Sequence, residues 1–477
     1  DSMDSYGAKV PKVTPNMDSL AEAGMRFQHA YIQTPSCCPS RNVFQTGQHP
    51  HNSGMIGFFS VDYPQDTLPE ALRKNGYFTG IVEKVIDSTP TNNTSKYWDY
   101  DDSFTKSTAR TPETYRKSFV ELLKQAEKSG KPFYAAVNVK DPHLPFFRGK
   151  LTKKGFDKSP PSKIYKAKEV SVPGMLPDSK MFLQEVADYY STLRRGDDTV
   201  GEVLSTLEQR GHRKNTIIVF ISDHGMAFPF SKSNLYDQGV RTPWIVVWPG
   251  VVPAGAIDKK HMISAVDFMP TILEITKTPA PGPLGGKSIL PLLKGEVQTE
   301  RDAVFVQHNE GPTAMPRTMR AVHTKDYIYI FNAWGTGKHQ SIFECRHYRS
   351  YKTFGKLAKD DAKIRKRKEF LDYRVVEELY DAKNDPFALN NLIEDPDYKN
   401  EAIALREKLE KWMEKTNDFA LDGFLVRDDP AKLDKFLKKL TVIAQERTLR
   451  LEWKRNVKNK KRPIGILTEL GPSNIVQ

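Results

Sequence analysis

Three short apolar runs follow polar or amphipathic stretches, and each ends on polar groups. They are residues 78–84 (FTGIVEK), 133–139 (FYAAVNV), which runs into Lys140-Asp141-Pro142-His143, and 216–222 (TIIVFIS), which runs into Asp223-His224-Gly225. With 244–248 (WIVVW) they read as buried strands, and their unbroken apolar character suits a mostly parallel sheet covered on both faces. Helix-period segments at 16–27, 68–75, 114–129 and 179–210 lie among them, and a break is expected at Gly196 in the last. This alternation predicts a layered α/β domain. Ligands of such sheets bind beyond the carboxyl ends of the strands, which gathers Lys84, His143, Asp223 and His224 on one face.

The pattern changes near residue 300. A Gly/Pro-rich stretch at 279–286 and an apolar one at 288–293 precede short strand candidates at 303–307, 319–323 and 327–331, then a helix at 402–415. The expected organisation is a catalytic domain over 1–299, a smaller α+β subdomain over 300–426 and a basic helical tail over 427–477.

Composition narrows the classes. Hydrophobic residues at 38% and aromatics at 10% of 477 exclude a disordered, collagen-like or coiled-coil chain, and no run of 18 apolar residues offers a membrane span. The net charge of +13 favours polyanionic partners. From Arg427 onward 13 basic residues face 6 acidic ones, and 141–177, long for a loop, carries eight against three. That loop reads as a basic lip over the site. No nucleic-acid-binding module accompanies the charge. Three cysteines cannot form a disulfide framework. Asn92 and Asn93 head adjacent glycosylation sequons, which fit a secreted or lysosomal glycoprotein, or a periplasmic protein in a bacterium.

The chemistry concentrates at Cys37-Cys38-Pro39-Ser40-Arg41, followed by Thr46-Gly47. On residue types alone Cys37 is either a thiol activated by a nearby arginine or a small buried hydrophobe. The motif resembles the signature of the type I sulfatases. Thr14-Pro15-Asn16-Met17-Asp18, Ser222-Asp223-His224-Gly225, Asp267-Phe268-Met269-Pro270-Thr271 and Leu379-Tyr380-Asp381 with Asp385-Pro386 follow that family's order, over about residues 1–420. A particular likeness to the heparan N-sulfatase (sulfamidase) branch rests on His51-Asn52-Ser53-Gly54-Met55, Asp141-Pro142-His143, Phe228-Pro229-Phe230 and Met315-Pro316-Arg317-Thr318-Met319-Arg320.

The resemblance implies an alkaline-phosphatase-like fold, a large mostly parallel sheet flanked by helices. It also implies that a formylglycine-generating enzyme converts Cys37 to formylglycine, whose hydrate is the nucleophile. By the same resemblance Cys37, Asp223, His224 and Asp1 hold one divalent metal, Ca²⁺, and Arg41, Lys84, His143 and Lys232 complete the catalytic group. His51, His308, Glu310 and Arg320 are candidate substrate contacts in a pocket for a heparan-like sulfated saccharide. Two departures accompany it. The family's first strand and its Asp-Asp pair are represented only by Asp1, with Asp4 as a candidate second carboxylate and a strand expected ahead of Asp1. The family's histidine shortly after the lysine is replaced by Ile86 and Asp87, which leaves Asp87 as a candidate base. The alternatives are an O-sulfatase on another glycan, a phosphoesterase or phosphonate hydrolase, and a glycosaminoglycan-binding pseudo-sulfatase. The oligomeric state stays open, a homodimer included.

Overall fold

A computed structural model describes residues 2–105, 108–148 and 159–458. Eleven strands are named here: β1 (Met25–Tyr31), β2 (Phe78–Val82), β3 (Tyr100–Asp102), β4 (Phe133–Val137), β5 (Ile218–Ile221), β6 (Trp244–Val247), β7 (Ala256–Ser264), β8 (Ala303–Glu310), β9 (Pro316–Thr324), β10 (Tyr327–Asn332) and β11 (Glu377–Asp381). The helices used below are α1 (Pro15–Ala23), α2 (Cys37–Thr46), α3 (Leu68–Lys74), α4 (Pro112–Ser129), α5 (Lys180–Gln209), α6 (Phe268–Ile275), α7 (Arg349–Leu357), α8 (Ala362–Tyr373), α9 (Lys399–Lys415) and α10 (Pro430–Lys458).

The apolar runs become strands where expected, distributed over two hydrogen-bonded sets. β3-β2-β4 is wholly parallel, with Phe78 opposite Phe133 and Val82 opposite Val137. β5-β6-β1-β7 is mixed: β1 and β7 are parallel, while β6 runs against both β5 and β1. The run 244–248 is therefore the antiparallel member, a direction that apolar content alone does not encode. Every residue of β2 is buried, whereas every residue of β4 and β5 stays partly accessible. The cause is a cavity of 1180 Å³ that both strands line, together with Tyr6, Phe44, Phe268 and Ile272. The functional groups at the carboxyl ends of β2, β4 and β5 lie along this same cavity.

Helices cover the sheets by their apolar stripes. α4 opens on Pro112, buries Tyr115, Phe119, Leu122, Leu123 and Ala126 at helical spacing, and ends on Gly130 in the left-handed region (φ 68°). α5 runs unbroken through Gly196, contrary to the expected break. A Cβ at 196 would stand 2.9 Å from the Asp141 carbonyl oxygen, so this glycine lets the 141–145 segment cross the helix at backbone contact. Asp141 is fixed there by buried ion pairs to Arg110 and Arg195. Gly196→Ala, which in an ordinary helix stabilises by about 1 kcal/mol, is here expected to destabilise by about 1–3 kcal/mol through overpacking. Urea unfolding checks it, and a gain in stability would show that the crossing is looser than described.

The third sheet, β11-β10-β9-β8, is antiparallel throughout and lies in the stretch where a smaller α+β unit is expected. One hydrophobic cluster nonetheless runs from Met3 and Val13 through Val306 and Phe331 to Leu437, so the proposed boundary at 299/300 crosses a shared core. The tail is corrected more sharply. α10 buries Leu433, Phe436, Leu437 and Ala444, and its Asp434 accepts hydrogen bonds from Thr336 and Lys338. The part described as far as residue 452 is thus a docked helix with a basic outer face. Of the 141–177 loop, residues 149–158 lie outside the described residues. The remainder is pinned to α5 by Ser162 to Asp198 and by buried Tyr165, whose backbone N–H donates to Ser191. No helix among the described residues is long and apolar enough to cross a membrane. Asn92 and Asn93 are both exposed.

Candidate active site

Cys37 is the first residue of α2, capped by extended Ser36, so its side chain sits at the helix N-terminus, where anions are favoured. Ser40 donates to the Asp223 carbonyl oxygen at 2.6 Å and ties α2 to the end of β5. The downstream Thr46-Gly47 is a helix stop. Gly47 takes φ 62°, its N–H donates to the Val43 carbonyl, and its own carbonyl accepts from Gly285.

Around Cys37 the strand ends deliver the rest. The His224 Nε2 lies 3.2 Å from Cys37 Sγ, and its Nδ1 faces the Gly225 carbonyl at 2.8 Å. The His143 Nδ1 similarly faces the Leu144 carbonyl at 2.7 Å, and His143 is among the groups that lower the Cys37 thiol. In each case a carbonyl takes one imidazole nitrogen, and in His224 this leaves the other on the sulfur. Arg41 pairs with Asp223 at 2.7 Å and donates to Asn138 Oδ1 at 2.5 Å. Lys232, almost fully buried, pairs with Glu344 at 2.6 Å. Lys84 pairs with Asp87 at 2.8 Å.

Burial alone would raise the Cys37 thiol, but Lys232, His224 and His143 outweigh it and hold it well below the ordinary value. Its neighbour Cys38 is pushed up to about 12 by burial, with Asp87 and Cys37 adding to the shift and Arg41 and Lys84 only partly offsetting it. The two adjacent thiols are therefore shifted in opposite directions, Cys37 down and Cys38 up. Burial also opposes charge on Asp223 and on His224. Arg41 and the other cations hold the Asp223 carboxyl far below its usual range, and Asp223 with Cys37 raises the His224 imidazole.

Lys84 reaches the site through unusual backbone. Glu83 and Lys84 both have positive φ, 61° and 55°, which costs about 1–3 kcal/mol per residue unless the surroundings impose it. They do. Buried Glu83 pairs with Lys140 at 3.1 Å and accepts from the Phe104 N–H at 2.8 Å, its N–H donates to Asp102, and its carbonyl accepts from Asn138 Nδ2.

Cys37 Sγ, a carboxylate oxygen of Asp223 and a ring nitrogen of His224 lie within 4.8 Å of one another. The anions that favour a proton on His224 Nε2 also favour a divalent cation in its place, so the donor set fits a metal. Asp1 lies outside the described residues. Asp4 is corrected: it is exposed, and its carboxylate accepts from the Lys12 N–H at 2.7 Å on the surface. The geometry of a short turn binds it there, which proximity in sequence to Asp1 did not reveal. Ile86 is 51% exposed and carries no chemistry, whereas Asp87 faces the site through Lys84.

The four candidate sugar contacts do not line the cavity shared by Lys84, His143, Asp223, His224 and Lys232. Arg320 is corrected outright: it is fully buried, and its guanidinium is bound to Asp418 at 2.5 and 2.7 Å and to Asn309. His51 belongs to the same network, with Gln307 at 3.1 Å and its ring against Trp412. Glu310 is taken by Arg447 of α10, both oxygens at 2.6 Å. His308 is buried with neither ring nitrogen bonded and is lowered to about 4 by burial. Its ring meets the edge of Phe343, the residue before Glu344. The structure adds Asn138, Glu344 and Tyr348 to the site. Asn138 was missed, although a polar residue near the end of an apolar run could have marked it, while Glu344 and Tyr348 had no sequence signal.

Residues 1–278 match the family described as Sulfatase, and residues 223–344 match that described as N-sulphoglucosamine sulphohydrolase, C-terminal. The human N-sulphoglucosamine sulphohydrolase is 28% identical over 453 residues, covering 86% of this chain and 88% of its own. An ulvan-active sulfatase of Formosa agariphila is 26% identical over 470 residues, covering 87% and 74%. A solved protein in complex with its substrate D-glucosamine-2-N,6-O-disulfate superposes with a TM-score of 0.65 at 20% identity, covering 88% of this chain and 96% of that one.

Proposed function

The chain belongs to the sulfatase family, and from that premise we propose that it hydrolyses the N-sulfate of glucosamine residues in heparan-like saccharides. One observation carries the reading: Cys37, at the N-terminus of α2, is the point on which His224, His143 and Lys232 converge. In this family conversion of the cysteine to formylglycine supplies a hydrated aldehyde as nucleophile. Asp223, His224 and residue 37 would hold a divalent metal, Ca²⁺ in our reading, which supplies Lewis-acid polarisation.

The chain's own residues do the remainder. Arg41, held by Asp223 and Asn138, presents positive charge beside residue 37. Lys84 and Lys232 stabilise charge on the transferring sulfuryl oxygens, and Glu344 fixes the Lys232 ammonium. His143, oriented through the Leu144 carbonyl, delivers the Nε2 proton to the departing glucosamine nitrogen as the N–S bond breaks. One hydrate oxygen of residue 37 would bond to sulfur as the amine leaves with the proton; loss of the proton from the second hydroxyl then breaks the carbon–oxygen bond, frees sulfate and leaves the aldehyde, and one water restores the hydrate.

Asp87 stands where the family has a histidine, bonded to Lys84, and we assign it as the proton acceptor that resets the site. Asp87→Asn keeps the shape and removes the basicity. It is expected to lower kcat about 10²-fold with KM unchanged or smaller, because a negative charge beside the sulfate is also removed. An unchanged kcat would pass the role to another group.

The reading is tested by incubating the enzyme with N-sulfoglucosamine and with glucosamine O-sulfates. Release of sulfate with free glucosamine from the N-sulfated sugar is expected. Turnover confined to an O-sulfated sugar would make it an O-sulfatase, and binding without turnover of any would make it a pseudo-sulfatase.

A further inference from the structure

The segment that supplies Glu344 continues into a strongly basic pair of helices. Between residues 346 and 368 lie ten Lys or Arg against two Asp. On α7 the apolar side chains Thr353 and Phe354, with Ser350, are buried, and Phe354 meets Phe182 and Phe230 at 6.4 Å. The opposite face carries Arg349, Lys352 and Lys356, spaced i, i+3, i+7, one above the other along the helix. Lys359 follows in the turn, and Lys363 and Lys366 continue on α8, which packs against α7.

Lys352, Lys356, Lys359, Lys363 and Lys366 are all exposed, and among the described residues none has a carboxylate partner within ion-pair distance. Their neighbours Lys368, Arg365 and Arg367 are, by contrast, committed to Asp372 and to backbone carbonyls. A row of uncompensated like charges is a self-repelling arrangement that an external polyanion relieves.

The row starts at the active site. Tyr348, the residue before α7, lines the same cavity as His143, Asp223, His224 and Lys232, and its hydroxyl donates to Glu344, the partner of Lys232. From half-buried Arg349 the cations become exposed at Lys352 and Lys356, over about 10 Å of helix. We propose that the basic face of α7, continued onto α8, binds the sulfated saccharide chain flanking the residue whose sulfate is removed. This rests on the proposed function for its substrate class and adds where the rest of the polymer lies.

The test is a full-length Lys352→Glu/Lys356→Glu/Lys363→Glu variant, measured with a heparan-type polysaccharide, with N-sulfoglucosamine and with duplex DNA. At low salt its kcat/KM on the polysaccharide is expected to fall about tenfold, the low end of electrostatic steering, with the monosaccharide unchanged. The gap should close as ionic strength rises, and retention on heparin should drop in parallel. An equal loss on both substrates, or unchanged retention and turnover, overturns the proposal. So does loss of DNA binding with heparin binding intact. Retention that drops in a protein turning over no sulfated sugar keeps the anionic-saccharide surface and instead overturns the assigned reaction.

Discussion

Cys37→Ala protein is expected to lose turnover of any sulfated substrate by about 10⁴-fold or more while keeping its fold, because it removes the nucleophile on which the other groups act as a unit. The sulfur lies 3.2 Å from His224 and is a single small atom, so the void left by its removal is minor. Cys37→Ser tests the chemistry further. A single hydroxyl can accept sulfuryl but carries no second hydroxyl to expel it, so Ser is expected to be almost as poor as Ala in steady state. Cys38→Ala is the control: that thiol is pushed up to about 12 by burial, so activity should survive within a few-fold. Sulfate release by the three variants, with circular dichroism for the fold, decides between the two cysteines.

The second large effect belongs to Asp223. Asp223→Asn is expected to cost about 10³-fold or more in activity, through loss of the carboxylate donor and of the charge that positions Arg41. It should also cost about 3 kcal/mol of stability, because Arg41 is 88% buried by its surroundings and keeps only Asn138 as partner. The pH dependence follows from the sign of the shift. The Asp223 carboxyl is depressed, by Arg41 above all, against the opposing effect of burial. Its contribution is therefore complete above the ordinary carboxylate pKa of about 3.9 and is lost as pH falls through the folded value. The stability gap between wild type and Asp223→Asn should be full at neutral pH and narrow only below about pH 4. Urea unfolding of both proteins across that range checks it. A gap that is constant with pH would show that Asp223 is not the carboxylate balancing Arg41.

The site was most legible where its chemistry is packed into short contiguous stretches. Cys37 to Arg41 is one helix turn, and Asp223 and His224 close one strand, so residue type and spacing singled out two stretches that the fold brings together, with Cys37 3.2 Å from His224 and Arg41 2.7 Å from Asp223. What escaped depends on long-range partners. Glu344 reaches Lys232 from a turn far along the chain, and nothing near Glu344 in sequence marks it. Arg320 looked like a pocket cation because a charged residue inside a motif implies function, yet Asp418 neutralises it in the core. Gly196 was a break by propensity and a crossing point in fact, since the Asp141 backbone that requires it is distant in sequence. The tail held its own signal. Leu433, Phe436, Leu437 and Ala444 repeat at helical spacing beneath the lysines, and that stripe, not the charge, decides that α10 docks.

The central claim is that Cys37 is the precursor of the nucleophile. It is tested most directly by peptide mass spectrometry of active protein produced together with a formylglycine-generating enzyme, on the tryptic fragment of residues 27–41. The account predicts formylglycine at position 37 and an unaltered cysteine at 38, with the modified fraction tracking specific activity across preparations. Full activity in protein whose Cys37 is entirely unmodified would contradict it.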